Sequence, residues 1–241
     1  MLTTPAQKWA LYDQLIDLAA PNQTVVSFES GRFWIMVASS AGGVGLAQRP
    51  GSDQPAPSPV GLSLKEAAAW VKSWDFDQAA VGLAVINAAI NANPLTGPDI
   101  DAFNFFQEET IGKKVTVIGH FPYLENTLKD AELTILERNP RPGDLPDSAA
   151  EYVLPSQDYV FATGTTLINK TLPRLLELSP KAIVTIVGPS TPLTPSLFDY
   201  GIRALSGLIA TNTPQLAAGI RGDACGQIFK SGTRKVNLLR P

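Results

Sequence analysis

From Lys113 onward, short apolar runs alternate with helical stretches, and this alternation constrains the fold more than any other feature of the chain. The runs are KVTVIGH (114–120), ELTILERN (132–139), DYVFATGT (158–165) and AIVTIVGP (182–189), with LIAT (208–211) and KVNLL (235–239) as a fifth and a sixth. Near-continuous apolar runs of this length predict strands buried on both faces. Helices are predicted over YLENTLKDA (123–131), over TLINKTLPRLLELS (166–179, irregular at Pro173) and around SLFDYGIRALSG (196–207). Strands and helices in this order predict an α/β domain, with a parallel Rossmann-like sheet, doubly wound through right-handed crossovers.

The first part reads differently. Leu11, Leu15 and Leu18 recur at helical spacing in an amphipathic helix that stops near Pro21. TVVSFE (24–29) and RFWIMVAS (32–39) predict a hairpin joined at Ser30-Gly31. The stretch 41–61 is dense in Gly and Pro and reads as a long loop, either a plain surface connection or one whose AGGVG start admits a ligand. Ser63 and Glu66 form a capping box for a helix ending near Trp74, and Asp77 is expected to cap the next helix. That next helix carries no charge beyond its start and must be buried nearly all round. Its Asn87 and Asn91 share one face, where they bind a nearby loop backbone or point into a cleft. Residues 1–97 thus form a smaller α+β unit, and 98–241 the Rossmann-like unit.

Composition removes several functions. Nineteen Lys and Arg stand against 22 Asp and Glu, with no dense basic run, which disfavours nucleic acid and anionic membranes as partners. The uncharged run Gln78–Pro98 holds Asn87, Asn91, Asn93, Pro94, Gly97 and Pro98, so it reads as a buried helix and its exit, not a membrane span. A cytoplasmic protein is expected. One Cys and one His allow neither an intrachain disulfide nor a Cys/His zinc site. Cys225 is expected to be a buried or inert thiol. Trp9, Trp34, Trp70 and Trp74 serve either a homodimer interface or the N-terminal core.

In parallel sheets ligands bind beyond the carboxyl ends of the strands. Those ends are GHFP (119–122), ERN (137–139), TGTT (163–166) and GPST (188–191). Their backbone N–H groups and hydroxyls suit a polar oxygen ligand or an anion. Glu137 follows Gly119 by 18 residues, near the position of a ribose-binding acid, but GHFPYL lacks the glycines of GxGxxG. That argues against NAD and leaves a nucleoside-containing or other diol-bearing ligand open. His120 is a general acid–base or metal-ligand candidate, or a hydrogen-bonded loop histidine. No nucleophile elbow surrounds Ser190, and no P-loop occurs. Ser190 and Thr191 read as helix caps or ligand-oxygen donors.

TGTTLINKTL (163–172) followed by GPSTPLTPSLFDYG (188–201) resembles a prokaryotic family described as putative heavy-metal chelation proteins. GHFP, the stretch from Glu137 to Pro142-Gly143-Asp144, AGGVGLA (41–47) and INAAIN (86–91) fit it too, so the likeness covers nearly the whole chain. The resemblance implies an N-terminal domain like that of enolase, a C-terminal Rossmann-like domain and a ligand between them. Carried onto this chain, it implies a site of Asn87, Gly119, His120, Phe121, Glu137, Thr163, Gly164, Thr165, Thr166, Asn169, Gly188, Ser190 and Thr191. His120 and Glu137 are its candidates for chemistry, and Phe121 its candidate for stacking on a flat ring.

The expected partner is a small polar organic ligand or metal chelate, pterin- or flavin-like in class, closed over by the 41–61 loop. No cofactor is fixed by a motif. The alternative is a non-catalytic metal carrier or regulatory protein, holding a cation through carboxylates, His120 or Cys225. Soft metals want thiolate or imidazole, and the chain has one of each. A metal would therefore arrive inside an organic ligand or bind at a subunit interface.

Overall fold

The computed structural model describes residues 5–50, 54–222 and 225–241. Met1–Thr4, the 51–53 part of the Gly/Pro-rich stretch, and Asp223-Ala224 beside Cys225 lie outside the described residues. Helix α1 (Pro5–Asp17) buries Leu11, Tyr12, Leu15 and Ile16. Helix α2 (Leu64–Ala68) carries the expected capping box of Ser63 and Glu66. Helix α3 (Phe76–Ile90) is buried from Asp77 to Ile90 apart from Gln78. Its N-cap is Asp75 rather than Asp77, because Asp75 Oδ1 accepts the Asp77 and Gln78 N–H groups. Asp77 instead meets Arg49 in a two-point ion pair with both side chains at least nine-tenths buried.

Strands β1 (Val25–Ser30) and β2 (Trp34–Ser39) form the expected hairpin. The long loop from Ala41 is corrected. Its first residues make a tight turn at Gly42, φ +84°, and enter a third strand, β3 (Val44–Gln48), antiparallel to β2. The glycines there admit a helix backbone. A Cβ on Gly43 or Gly45 would lie 2.0 Å from the carbonyl oxygen of Ala88 or Ala84 in α3.

The second sheet holds β4 (Lys114–Ile118), β5 (Glu132–Glu137), β6 (Leu145–Pro146), β7 (Tyr159–Thr163), β8 (Ile183–Val187), β9 (Ile202–Ala210) and β10 (Thr233–Leu239). Its order is β10-β9-β8-β7-β4-β5-β6, with every pairing parallel except β10 against β9. The two-residue β6 was not expected. The run at 208–211 is only the end of β9, and the helix expected around 196–207 is a single 3-10 stretch (Pro195–Tyr200) ended by Gly201 at φ +85°. Burial on both faces of β9, with only Arg203 exposed, overrides the helical spacing.

The connecting helices are short: α4 (Ala102–Phe105), α5 (Leu124–Thr127), α6 (Ala150–Val153), α7 (Thr165–Ile168), α8 (Leu172–Leu178) and α9 (Thr213–Arg221). The helix expected across 166–179 is split at Lys170, whose φ of +64° breaks the ladder. Pro173 sits in the first turn of α8, where a missing N–H costs nothing.

One apolar core runs through both halves, joining α1 and α3 to β4, β7, β8 and α7. The connector 95–101 lies along β10: Arg234 donates to the Leu95 carbonyl at 2.6 Å, the Lys235 N–H to Asp99 at 3.0 Å, and Asn237 to the carbonyls of Pro98 and Ile100. That covers an edge strand that would otherwise offer free backbone. Trp34 is buried, Trp9 and Trp70 pack against the core, and Trp74 is exposed. Among the described residues no helix is long and apolar enough to cross a membrane.

Candidate ligand-binding cleft

The strand order turns back at β4, with β5 on one side and β7 on the other. In doubly wound sheets this switch point opens a crevice beyond the strand ends. Here it forms a half-open cleft of about 130 Å³ between the ends of β4, β5 and β7 and the helices α7 and α8. Ile118, Leu136 and Leu175 give it apolar walls, while Thr165, Asn169 and Arg138 give it polar edges. All its lining residues fall between 118 and 175.

Six of the expected residues meet there: Gly119, Glu137, Thr163, Thr165, Thr166 and Asn169. Gly119 has φ +100°, and a Cβ would press on the Thr163 side chain at 3.2 Å. The Thr165 hydroxyl and N–H both donate to Thr163 Oγ1, at 3.2 and 3.4 Å. Thr166 is buried and donates to the Thr163 carbonyl at 2.7 Å, so it shapes the turn. Asn169 Oδ1 accepts the Thr171 N–H and hydroxyl, leaving its amide nitrogen for the cleft.

The other expected residues lie elsewhere. Gly164 packs on the turn after β8, where a Cβ would stand 2.7 Å from the Ser190 carbonyl carbon. Phe121 covers Gly119 and Gly188 and packs edge-on against Phe103 at 5.2 Å, bordering a different hollow. Asn87, Ser190 and Thr191 are buried at the seam between the two sheets. Asn87 donates to the carbonyls of Leu46 and Ser190 at 2.8 and 3.2 Å, and Ser190 Oγ accepts the Gln48 N–H at 2.8 Å. Asn91 likewise donates to the Val44 carbonyl, so both carboxamides bind strand backbone. A further hollow, bordered by Val44, Asn91 and Thr213, lies between the two halves and gathers none of the expected site residues.

Glu137 is heavily engaged. Its Oε2 accepts the His120 N–H at 2.9 Å, and its Oε1 accepts the N–H groups of Arg138 and Asn139 at 2.7 and 3.3 Å. A ribose-type diol would compete with three backbone donors, which fits the missing GxGxxG. The His120 ring turns toward Asp144, with Nδ1 3.0 Å from Oδ2. Burial acts to raise the Asp144 carboxyl, but the Arg141 N–H and the His120 ring outweigh it and hold the group below its usual range.

Arg138 and Asp147, paired at 3.4 Å, also border the cleft and were not foreseen, although Arg138 stands in the ERN strand end. Cys225 is exposed rather than buried; partial burial still raises its thiol pKa, so it stays protonated near neutrality. Among the described residues no group of three or more His, Cys, Asp or Glu is placed to hold a metal ion.

A mostly parallel sheet with a polar-edged cleft at its switch point is an α/β architecture in which ligands bind beyond the strand ends. The chain belongs to the family described as putative heavy-metal chelation: one family model matches residues 101–239 and a second, of the same description, residues 12–90. A family member of unknown function from Desulfitobacterium hafniense has a solved structure 36% identical to this chain, with a TM-score of 0.90 over 98% of this chain and all of that one. Another, from Pyrococcus horikoshii, is 24% identical, with a TM-score of 0.83 over 97% and 99% of the two chains, and shows the same fold. An uncharacterised protein of Methanocaldococcus jannaschii is 27% identical over 193 residues, 74% of this chain and 73% of its own.

Proposed function

We infer that the chain binds a small polar organic ligand, with a metal carried inside that ligand where one is involved. The carrying observation is the cleft at the β4/β7 switch point, where hydroxyl, carboxamide and guanidinium groups rim an apolar interior. A flat pterin- or flavin-like ring fits apolar walls such as Leu136 and Leu175 with its heteroatoms turned to the rim. Stacking in this cleft falls to those walls, since Phe121 borders the neighbouring hollow. Arg138 is the cation available to an acidic substituent, by displacing the half-exposed Asp147. Direct chelation of a soft metal is poorly served by one imidazole and one thiol.

The test is native mass spectrometry and metal analysis of protein purified without added ligand. An organic adduct, lost or weakened by Thr165→Val and Arg138→Ala, supports the reading. A stoichiometric metal without an organic partner, lost on His120 or Cys225 substitution, replaces it with a metal carrier.

A further inference from the structure

His120 is the only histidine of the chain, and it is clamped twice. Its N–H donates to Glu137 Oε2 at 2.9 Å, which fixes the loop after β4. Its Nδ1 stands 3.1 and 3.0 Å from the two Asp144 oxygens. The Asp144 side chain is 3% exposed, and its Oδ2 also accepts the Arg141 N–H at 3.0 Å. Gly143, at φ +100°, turns the chain so that this carboxylate reaches back to the ring. The other ring nitrogen, Nε2, has Glu125 Oε1 at 3.9 Å, beyond hydrogen-bond reach. An ionised carboxylate offers only lone pairs, so the nitrogen facing Asp144 must carry a proton.

We propose that Asp144 is a positioning residue that fixes His120 as the Nδ1–H tautomer and leaves Nε2 bare to accept a proton from a ligand O–H or N–H. Glu125 and Asp144, the two carboxylates beside the ring, border an open hollow of about 380 Å³ with Leu128, Lys129, Ile135 and Pro142, separate from the switch-point cleft, so a ligand group seated there meets Nε2 beside Glu125. In the transfer the ligand's bond to hydrogen breaks, the Nε2–H bond forms, and the electron pair stays on the ligand oxygen or nitrogen. The imidazolium then lies between the carboxylates of Asp144 and Glu125 until it returns the proton to the product. The charged groups near the ring include these two, Arg141 behind Asp144 and Glu137 on the backbone side, and Lys129 borders the same hollow. The proton donor is a ligand of this hollow and not of the switch-point cleft, and the tautomer depends on neither.

The experiment is ¹⁵N NMR of the lone imidazole in the ligand-free full chain, at a pH where the ring is neutral. The expected spectrum shows a protonated Nδ1 and a bare Nε2. In Asp144→Asn the Arg141 N–H retains the remaining oxygen and the carboxamide NH₂ faces the ring. Nδ1 must then accept, and the two shifts exchange. A bare Nδ1 in the unsubstituted protein overturns the proposal, whether or not the variant folds. So does an Nδ1–H pattern that survives both Asp144→Asn and Asp144→Ala, or one that depends on Glu125→Gln instead. Because no ligand is present, failure here leaves the cleft reading standing, and an empty cleft in mass spectrometry leaves the tautomer standing.

Discussion

The hydroxyl of Ser190 accepts the backbone N–H of Gln48 at 2.8 Å, linking the turn after β8 to the end of β3. Ser190 is buried and Gln48 half-buried, so Ser190→Ala leaves the Gln48 N–H without its acceptor and should lower unfolding free energy by about 1 kcal/mol in denaturant titration. Next to it, Thr191 Oγ1 is buried with no partner among the described residues. Thr191→Val should therefore be neutral or stabilising. Equal losses in both variants would contradict the seam geometry.

The Arg49–Asp77 pair is a buried ion pair with a hydrogen-bonded shell, including the Gly31 carbonyl at 3.3 Å from Arg49. Removing one partner leaves the other charge buried. Arg49→Met and Asp77→Asn should each cost about 3–5 kcal/mol, measured by chemical denaturation. The double variant should cost less than the sum.

Gly43 and Gly45 let β3 lie directly on α3. Either glycine changed to Ala puts a methyl group into a helix carbonyl and should lower the thermal midpoint, with a cost of about 1–3 kcal/mol or more. A variant with an unchanged midpoint would contradict the close approach.

Lys170 gives a pH signature. Burial lowers its ammonium from the ordinary 10.5 to about 8. Its Nζ donates to the Ile168 carbonyl at 2.6 Å and stands over Trp74 and Phe76. Between pH 8 and 10.5 the unfolded chain binds this proton and the folded chain does not. Stability should therefore gain a rising contribution with pH across that window, comparing Lys170→Met with the unsubstituted chain. A contribution that falls instead would reverse the assignment.

The parallel sheet was legible because buried strands read as unbroken apolar runs, as in IVTIV of β8. β3 was hidden because VGLAQ carries a glycine for packing, and glycine also marks loops. β9 was shortened because its apolar residues also fit a helical spacing, and only burial decides between the two. At the cleft, TGTT and Gly119 were readable as a strand-end turn, while GPST in the same chemistry went to the seam. Hydroxyl-rich turns look alike in sequence whether they face a ligand or a neighbouring strand. Asp144 had no visible tie to His120, since their pairing depends on the return made at Gly143.

The connector from 95 to 101 runs beside β10 as a strap, held by side chains of Arg234 and Asn237 and by the Lys235 N–H. A clamshell motion between the two halves would have to peel that strap away and bare the sheet's margin. Guest molecules should therefore enter and leave by shifts of the small turns around β4 and β7, with the two halves moving as one block.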